Sequence, residues 1–418
     1  MEKRIDKKVL SWALYDFGNS AFSTTVMAGF FPIFFKSFWS HGTEAVVSTA
    51  RLGSAISISS LIIALVSPTL GVVADLKGFK KTFCLLFTLI GAGACAVLGF
   101  IPLGDWWSAI LAYGIATMAF NAGTVFYESL LPFVTKERNL DYVSSLGYAM
   151  GYLGGGILFL INVLMHLFPA AFGLKDGVVA VQVSFVTVAV WWVLFSFPLA
   201  RNVPEPAVQM NKDNAWKLTV RSLQTLKGTL KELVHEKNLL LFIIAYWLYI
   251  DGVYTVMAMA VDFGLAIDLQ SKDLIVALLI TQFIGFPCAY YFGTVTKRWG
   301  ARKPILFCIL IYSVSVILAT QMSQAWHFFA LAIMIGMVQG GVQSLSRSMF
   351  AKMIPPAMSG EYFGLFNLVG RFAAILGPSL VGFGALLTGS SRMGMLGLIA
   401  LFICGGTLLW KVKEPVRT

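Results

Sequence analysis

The chain has 418 residues, of which 58% are hydrophobic and 12% charged, and its mean hydropathy is +0.79. A soluble globular domain cannot carry so little charge and still cover itself with polar side chains, which excludes an ordinary water-soluble enzyme or binding module. The net charge of +11 would suit nucleic acid only if the cations formed a folded basic face, and their placement argues otherwise.

Stretches free of Asp, Glu, Lys and Arg run 52–74, 82–104, 106–127, 142–174, 177–200, 274–296 and 304–346, the last long enough for two membrane crossings. With Asp16, Asp251, Arg371 and Arg392 admitted as isolated interruptions, the chain reads as twelve helices. Their expected spans are 9–38, 45–74, 82–103, 106–131, 142–166, 178–199, 238–263, 273–296, 304–323, 326–351, 361–387 and 391–410. The first span is too long for a signal-peptide core, so Met1–Phe38 is expected to stay as an uncleaved anchor.

The segments between these spans alternate in charge. One set holds 25 of the 31 Lys and Arg, Arg347 and Lys352 counted among them, and the other set holds five. This is the positive-inside bias, and it predicts both termini in the cytoplasm of a bacterial plasma membrane, with anionic lipid rather than nucleic acid as the partner of the cations. Cys84, Cys95, Cys288, Cys308 and Cys404 all fall in spans without a C-x-x-C pair, so neither a disulfide nor a metal site is expected. Trp39, Trp106, Trp107, Trp326 and Trp410 fall at span ends, as interfacial anchors do. The glycines of 151–156 lack the strand and the Lys-Ser/Thr ending of a phosphate loop, and no cofactor is expected.

The most hydrophilic stretch, 201–237, opens with Pro204-Glu205-Pro206 and divides the helices six and six. It predicts an N-terminal bundle over 1–200, a linker over 201–237 and a C-terminal bundle over 238–418. Within the linker Trp216, Val220, Leu223, Leu226, Leu230, Leu233 and Val234 share a helical face among basic residues, the pattern of a helix lying on the inner leaflet. The two halves echo each other: Gly71, Gly78, Lys80 and Lys81 correspond to Gly293, Gly300, Arg302 and Lys303 at one common offset, and Trp12…Asp16 has a looser echo in Trp247…Asp251.

The first of these loops, G-x-x-x-D-x-x-G-x-K-K over Gly71–Lys81, resembles the signature of the major facilitator superfamily, and the likeness extends over the whole chain. Within that superfamily, W-A-L-Y-D-F-G-N-S-A-F (12–22), G-Y-A-M-G-Y-L-G-G-G (147–156) and G-M-V-Q-G-G-V-Q-S-L-S-R-S (336–348) look like the vacuole-effluxer family and its bacterial relatives. The resemblance implies an all-α membrane protein of twelve transmembrane helices in two pseudo-symmetric six-helix bundles, which rock about a midplane site. It further implies efflux of amino acids or similar small metabolites, with an inner gate at Gly71, Asp75, Gly78 and Lys80. Lys297 stands where the second copy would carry its acid. The plainer role of Lys77, Lys80 and Lys81 is to anchor topology.

Helical spacing also groups the intramembrane polar residues. Asp16, Asn19 and Ser23 share a face of the first helix, as do Asn121, Thr124 and Glu128 on the fourth, and Asp251, Tyr254 and Thr255 on the seventh. Gln339, Gln343, Ser346 and Arg347 form a stripe on the tenth, and Gly364, Asn367 and Arg371 one on the eleventh. Buried charge at bilayer depth is costly, so these residues are expected to face a water-filled cavity. The expected substrate site is Asp16, Asn19, Asn121, Asp251, Tyr254, Gln339, Gln343, Asn367 and Arg371, with Arg371 holding a carboxylate and Asp16 or Asp251 an ammonium. Asp16, Asp251 and Glu128 are the candidate proton carriers. Two bland alternatives stand beside this: Asp16 as a hydrogen-bond partner of a neighbouring helix, and Asp251 with Arg371 as a mutually neutralising pair. The expected activity is secondary transport of an amino acid or related solute, coupled to protons and without chemistry on the solute. Export of amphipathic drugs or siderophore-like compounds, and a transport-silent sensor or lipid-handling protein, are the alternatives.

Overall fold

The computed structural model describes residues 6–207, 215–266, 271–322, 324–372, 376–388 and 391–415. Among these the secondary structure is helical, without strands. The N-terminal bundle contains α1 (Lys7–Trp39), α2 (Ala45–Lys77), α3 (Lys80–Leu98), α4 (Trp106–Ser129), α5 (Leu140–Leu167) and α6 (Gly177–Asn202). A linker helix, α7 (Ala215–His235), precedes α8 (Lys237–Ala266), α9 (Ser271–Trp299), α10 (Arg302–Thr320) and α11 (Ala325–Met353). The eleventh crossing holds α12 (Ser359–Phe372) and α13 (Leu376–Thr388), and the twelfth ends in α14 (Gly397–Lys411). This is the twelve-helix fold of the sequence reading.

Local chemistry sets the helix ends. Asp105 and Asp176 cap α4 and α6 by accepting the backbone N–H of Ser108 (3.1 Å) and Val179 (2.9 Å). Gly78, at φ +68°, closes α2 in the left-handed conformation that disfavours a β-carbon. The third crossing stops at Leu98 rather than 103, because Gly99 and Pro102 follow it. Apolar side chains such as Leu65, Leu89, Val190 and Leu310 stay exposed on the outer faces, where lipid covers them. Trp107, Trp326 and Trp410 are exposed at helix ends as anchors should be, but Trp39 is fully buried and donates to the Ile101 carbonyl (3.3 Å).

The internal repeat reaches further than the loops that announce it. In the first half Glu205 accepts the N–H groups of Lys81 (2.8 Å) and Thr82 (2.9 Å) at the start of α3, and Lys81 Nζ donates to the Val203 carbonyl past the end of α6 (3.0 Å). In the second half Glu414 accepts the N–H of Ala301 just before α10, and Arg302 donates to the Val412 carbonyl past the end of α14 (2.8 Å). Each half thus clips its third helix to its sixth with an acid on N–H groups and a cation on C-terminal carbonyls, the charge pattern that helix ends favour.

Within the first half, α5 seats α1 on a run of glycines. A β-carbon at Gly147 would meet Trp12, one at Gly151 would meet Ser20, and one at Gly154 would meet Phe17. Close backbone approach of this kind brings Asp16 against α5. Further along α1 the chain widens into π-helical turns over Phe22–Phe30 and Phe35–Trp39, and such turns tend to mark functional segments.

Candidate functional site: a cavity between the bundles with a charged floor

The polar contacts between the bundles gather at the end of the molecule that carries the linker. Asp75 of α2 accepts the N–H groups of Gly360 (3.0 Å) and Glu361 (2.8 Å), in the first turn of α12, and is ion-paired with Lys80. The carboxylate therefore meets a helix N-terminus and a cation at once. Gly71 lies against the Gly360 carbonyl so closely that a β-carbon would overlap it. Asp141 of α5 accepts Lys352 Nζ (2.6 Å) and Ser348 Oγ (2.7 Å) of α11, and Ser359 Oγ donates to the Ser129 carbonyl (2.8 Å). At the matching seam of the second copy Gly293 packs on Ser145, and Lys297 lies over the Tyr142 ring at 6.0 Å, where the first copy has its acid.

Above this closed layer is a cavity of about 1530 Å³. Its walls include Lys36 and Ser37 at the far end of α1, Ile56 and Ser57 in the first half of α2, and Phe328 at the start of α11. It thus runs from the middle of the bundles to the end opposite the linker. Asp16, Asn19, Asn121, Glu128, Tyr254, Gln339, Gln343 and Asn367, eight of the expected site and coupling residues, all border it.

Arg347 organises the floor. The sequence reading counted it with the inner cations and also put it on the polar stripe of the tenth span, without including it in the expected substrate site; α11 runs to Met353, and the Arg347 side chain is 2% exposed. It reaches out of the C-terminal bundle into a pocket of the N-terminal one. Nε donates to Ser144 Oγ (2.8 Å) and Nη2 to the Ser144 carbonyl (2.7 Å), while Nη1 lies 4.0 Å from Asp16 Oδ2 and 3.9 Å from Glu128 Oε1. The guanidinium stands over the rings of Tyr148 (4.3 Å), Trp12 (5.0 Å) and Tyr127 (5.6 Å), a cation–π cage. Asp16 accepts Ser20 Oγ (3.3 Å) and Tyr127 Oη (3.4 Å), and Glu128 accepts Asn367 Nδ2 (2.9 Å) from α12. The spacing of Gln339, Gln343 and Arg347, four residues apart, already put all three on one helical stripe, yet only the two glutamines entered the expected site.

Asp251 departs from the expected site. It is fully buried, does not border the cavity, and accepts the N–H groups of Leu376 (3.1 Å) and Gly377 (2.9 Å) at the start of α13 along with Thr255 Oγ1 (3.3 Å). Its carboxylate is occupied by backbone donors of the neighbouring crossing, which makes it a structural cap. The side chain of Arg371 lies outside the described residues. Among the described residues no group of three or more His, Cys, Asp or Glu could hold a metal ion.

Two six-helix bundles around a central cavity with a charged floor, shut at one end by a glycine-acid-cation loop, define a membrane transporter of the major facilitator type. The chain belongs to the family described as vacuole effluxer Atg22 like, whose profile matches residues 47–415. A Bacillus subtilis (strain 168) protein described as an uncharacterized MFS-type transporter, YxiO, is 36% identical over 420 residues, spanning 100% of this chain and 97% of that one. The autophagy-related protein 22-2 of Aspergillus clavatus is 28% identical over 282 residues, 60% of this chain and 44% of the fungal one. Among solved structures, the human organic anion transporter MFSD10 aligns over 96% of this chain and 99% of its own at a TM-score of 0.72 and 13% identity. The transporter FucP in its outward conformation aligns over 98% and 99% at a TM-score of 0.72 and 11% identity. At such identities the structural likeness concerns the fold.

Proposed function

We propose that this protein is a secondary transporter that exports amino acids or similar small polar metabolites by alternating access, with protons as the coupling ion. The cation bias along the chain supports a cytoplasmic linker end with both termini beside it, in the plasma membrane of a bacterium. On that orientation the cavity faces outward and the Asp75–α12 contact is the closed inner gate. The halves acting as rocking units are 1–200 and 238–418, joined by 201–237.

The observation that carries this reading is the floor of the cavity, where Asp16, Glu128 and Arg347 converge from both bundles. Among the described residues two nearby carboxylates face one guanidinium, two of whose nitrogens already bond Ser144. Such a floor favours an ammonium or a proton over a second carboxylate, so the amine end of an amino acid is the part it would hold. Asn19, Asn121, Gln339 and Gln343 supply neutral donors and acceptors for the rest of the solute. The efflux named in the family's description supports the direction.

Purified protein in liposomes should show counterflow of labelled amino acids, with uptake against an internal load of the same solute. Absence of counterflow for any amino acid at both acidic and neutral pH would remove this reading. The apolar upper walls, with Met27, Ile56, Leu278 and Phe328, favour export of amphipathic compounds as the second reading. Block by hydrophobic cations together with indifference to amino acids would decide for it.

A further inference from the structure

The described contacts of the Arg347 side chain tie it chiefly to the opposite bundle. It springs from α11 in the C-terminal half, yet Ser144, Asp16, Glu128, Trp12, Tyr127 and Tyr148 all belong to the N-terminal half. Opening the linker end requires these two halves to part, and this grip must then be released. Two parts of the grip differ in kind. The bonds to Ser144, at 2.7–2.8 Å, are ordinary hydrogen bonds, while the approaches to Asp16 and Glu128, at 4.0 and 3.9 Å, exceed hydrogen-bonding distance and act through charge alone. A small cation entering from the cavity can reach Asp16, whose side chain is 14% exposed and borders the cavity together with Glu128.

We propose that Arg347 is a latch across the bundles that occupies the place of the coupling cation: a proton, or the ammonium of the solute, binding at Asp16 and Glu128 competes with the guanidinium, loosens it from the N-terminal bundle and permits the linker end to open. The proposal rests on the transport reading above and adds to it the event that links occupancy to gate. Without a cation the carboxylates hold Arg347, the latch holds the gate, and the carrier does not cycle empty. With one bound, the attraction that kept Arg347 in place is divided. Among the described residues, the groups facing this centre that can titrate or carry charge are Arg347 itself, Asp16 on α1, Tyr127 and Glu128 on α4, Tyr148 and Tyr152 on α5, and Tyr246 and Tyr254 on α8. Of these the two carboxylates are the groups able to take up a proton as the pH falls, since tyrosine is already protonated below about pH 10 and arginine throughout.

The test uses the full chain in lipid nanodiscs, with native cysteines replaced and spin labels on Arg138→Cys and Ala357→Cys, two exposed positions in the corresponding linker-end loops. Distances between the labels report the linker end with no solute added. Asp16→Asn with Glu128→Gln, which imitates full occupancy, should raise the long-distance population about tenfold, and Arg347→Gln should do the same. Arg347→Lys, which keeps the charge but loses the two-point hold on Ser144, should give an intermediate shift and serves if Arg347→Gln does not fold. With Asp16 and Glu128 intact, a shift between pH 8 and pH 5 without solute identifies the proton, and a shift with methylammonium at pH 8 identifies the ammonium. A linker end that stays closed in the neutralised double variant and in the Arg347 variants overturns the latch, as does a labelled protein with Asp16, Glu128 and Arg347 intact that is indifferent to both pH and methylammonium without solute. Failure of amino-acid counterflow with these distance shifts intact would instead refute the solute assignment alone.

Discussion

Replacing Arg347 with alanine should abolish solute exchange, by at least about a hundredfold, and lower stability by about 3–5 kcal/mol, the usual cost of breaking a buried charge network by removing one member. The side chain is 2% exposed and lies between two carboxylates, so its loss takes away the described cation that Asp16 and Glu128 share at the cavity floor. It also leaves the Ser144 carbonyl and hydroxyl without two of their donors. Lysine at this position keeps the charge but cannot span Nε and Nη2 to Ser144 or lie flat over Tyr148 and Trp12. Arg347→Lys should therefore recover much of the stability and little of the exchange. Counterflow in liposomes alongside thermal unfolding separates the two effects, and an alanine variant with ordinary exchange would remove Arg347 from the mechanism.

The second large effect is expected at Asp75. Its carboxylate receives two backbone N–H groups of α12 and the ammonium of Lys80, which is itself fully buried. Asp75→Ala strands that ammonium and the first turn of α12 together, a loss of about 3–5 kcal/mol borne by the state with the linker end closed. At 1.4 kcal/mol per factor of ten, the closed population falls by roughly a hundredfold or more relative to the open one. Hydrogen exchange at the amides of Gly360 and Glu361 measures it: protection should drop by that factor in the variant and stay high in the wild type. Gly71→Val should act in the same direction by a different cause, because its β-carbon would overlap the Gly360 carbonyl. Unchanged protection in both variants would mean that this contact does not hold the gate.

Much of this architecture is legible in the chain itself. Membrane crossings announce themselves because lipid forces every backbone group into helix and every surface residue to be apolar, so length and charge suffice to find them. The loop over Gly71–Lys81 was legible for a related reason: glycine at 71 and 78, the acid at 75 and the cation at 80 answer local demands of close approach, a left-handed helix end and charge at a helix terminus. Helical spacing put Asp16, Asn121 and Gln343 each on the polar face of its own helix, and the family resemblance turned those faces toward one cavity, which all three border. What spacing does not give is the neighbour that a face meets. Asp16 and Asp251 echo each other in sequence, yet one meets the cavity and the other the first turn of α13, because that difference depends on how an adjacent crossing approaches. Arg347 fell on the expected tenth span and on its polar stripe, but its nearness to the inner end also let it be counted with the inner cations, and it was left out of the expected site because spacing does not show that it reaches across to α1, α4 and α5. Glu205, read as part of a tether, turned out to clip α3 to α6, a contact visible only when the two ends are brought together.

The central claim is that the cavity with the charged floor is the solute path and that its access alternates. The most direct measurement places a cysteine at Gln343, which borders the cavity, and follows its reaction with a membrane-impermeant thiol reagent added from either side of oriented liposomes. The account predicts reaction from the side opposite the linker in the resting protein, protection by the transported solute, and reaction from the linker side once Asp75→Ala is introduced. Reaction from neither side, or from one side regardless of solute and gate variant, would contradict it.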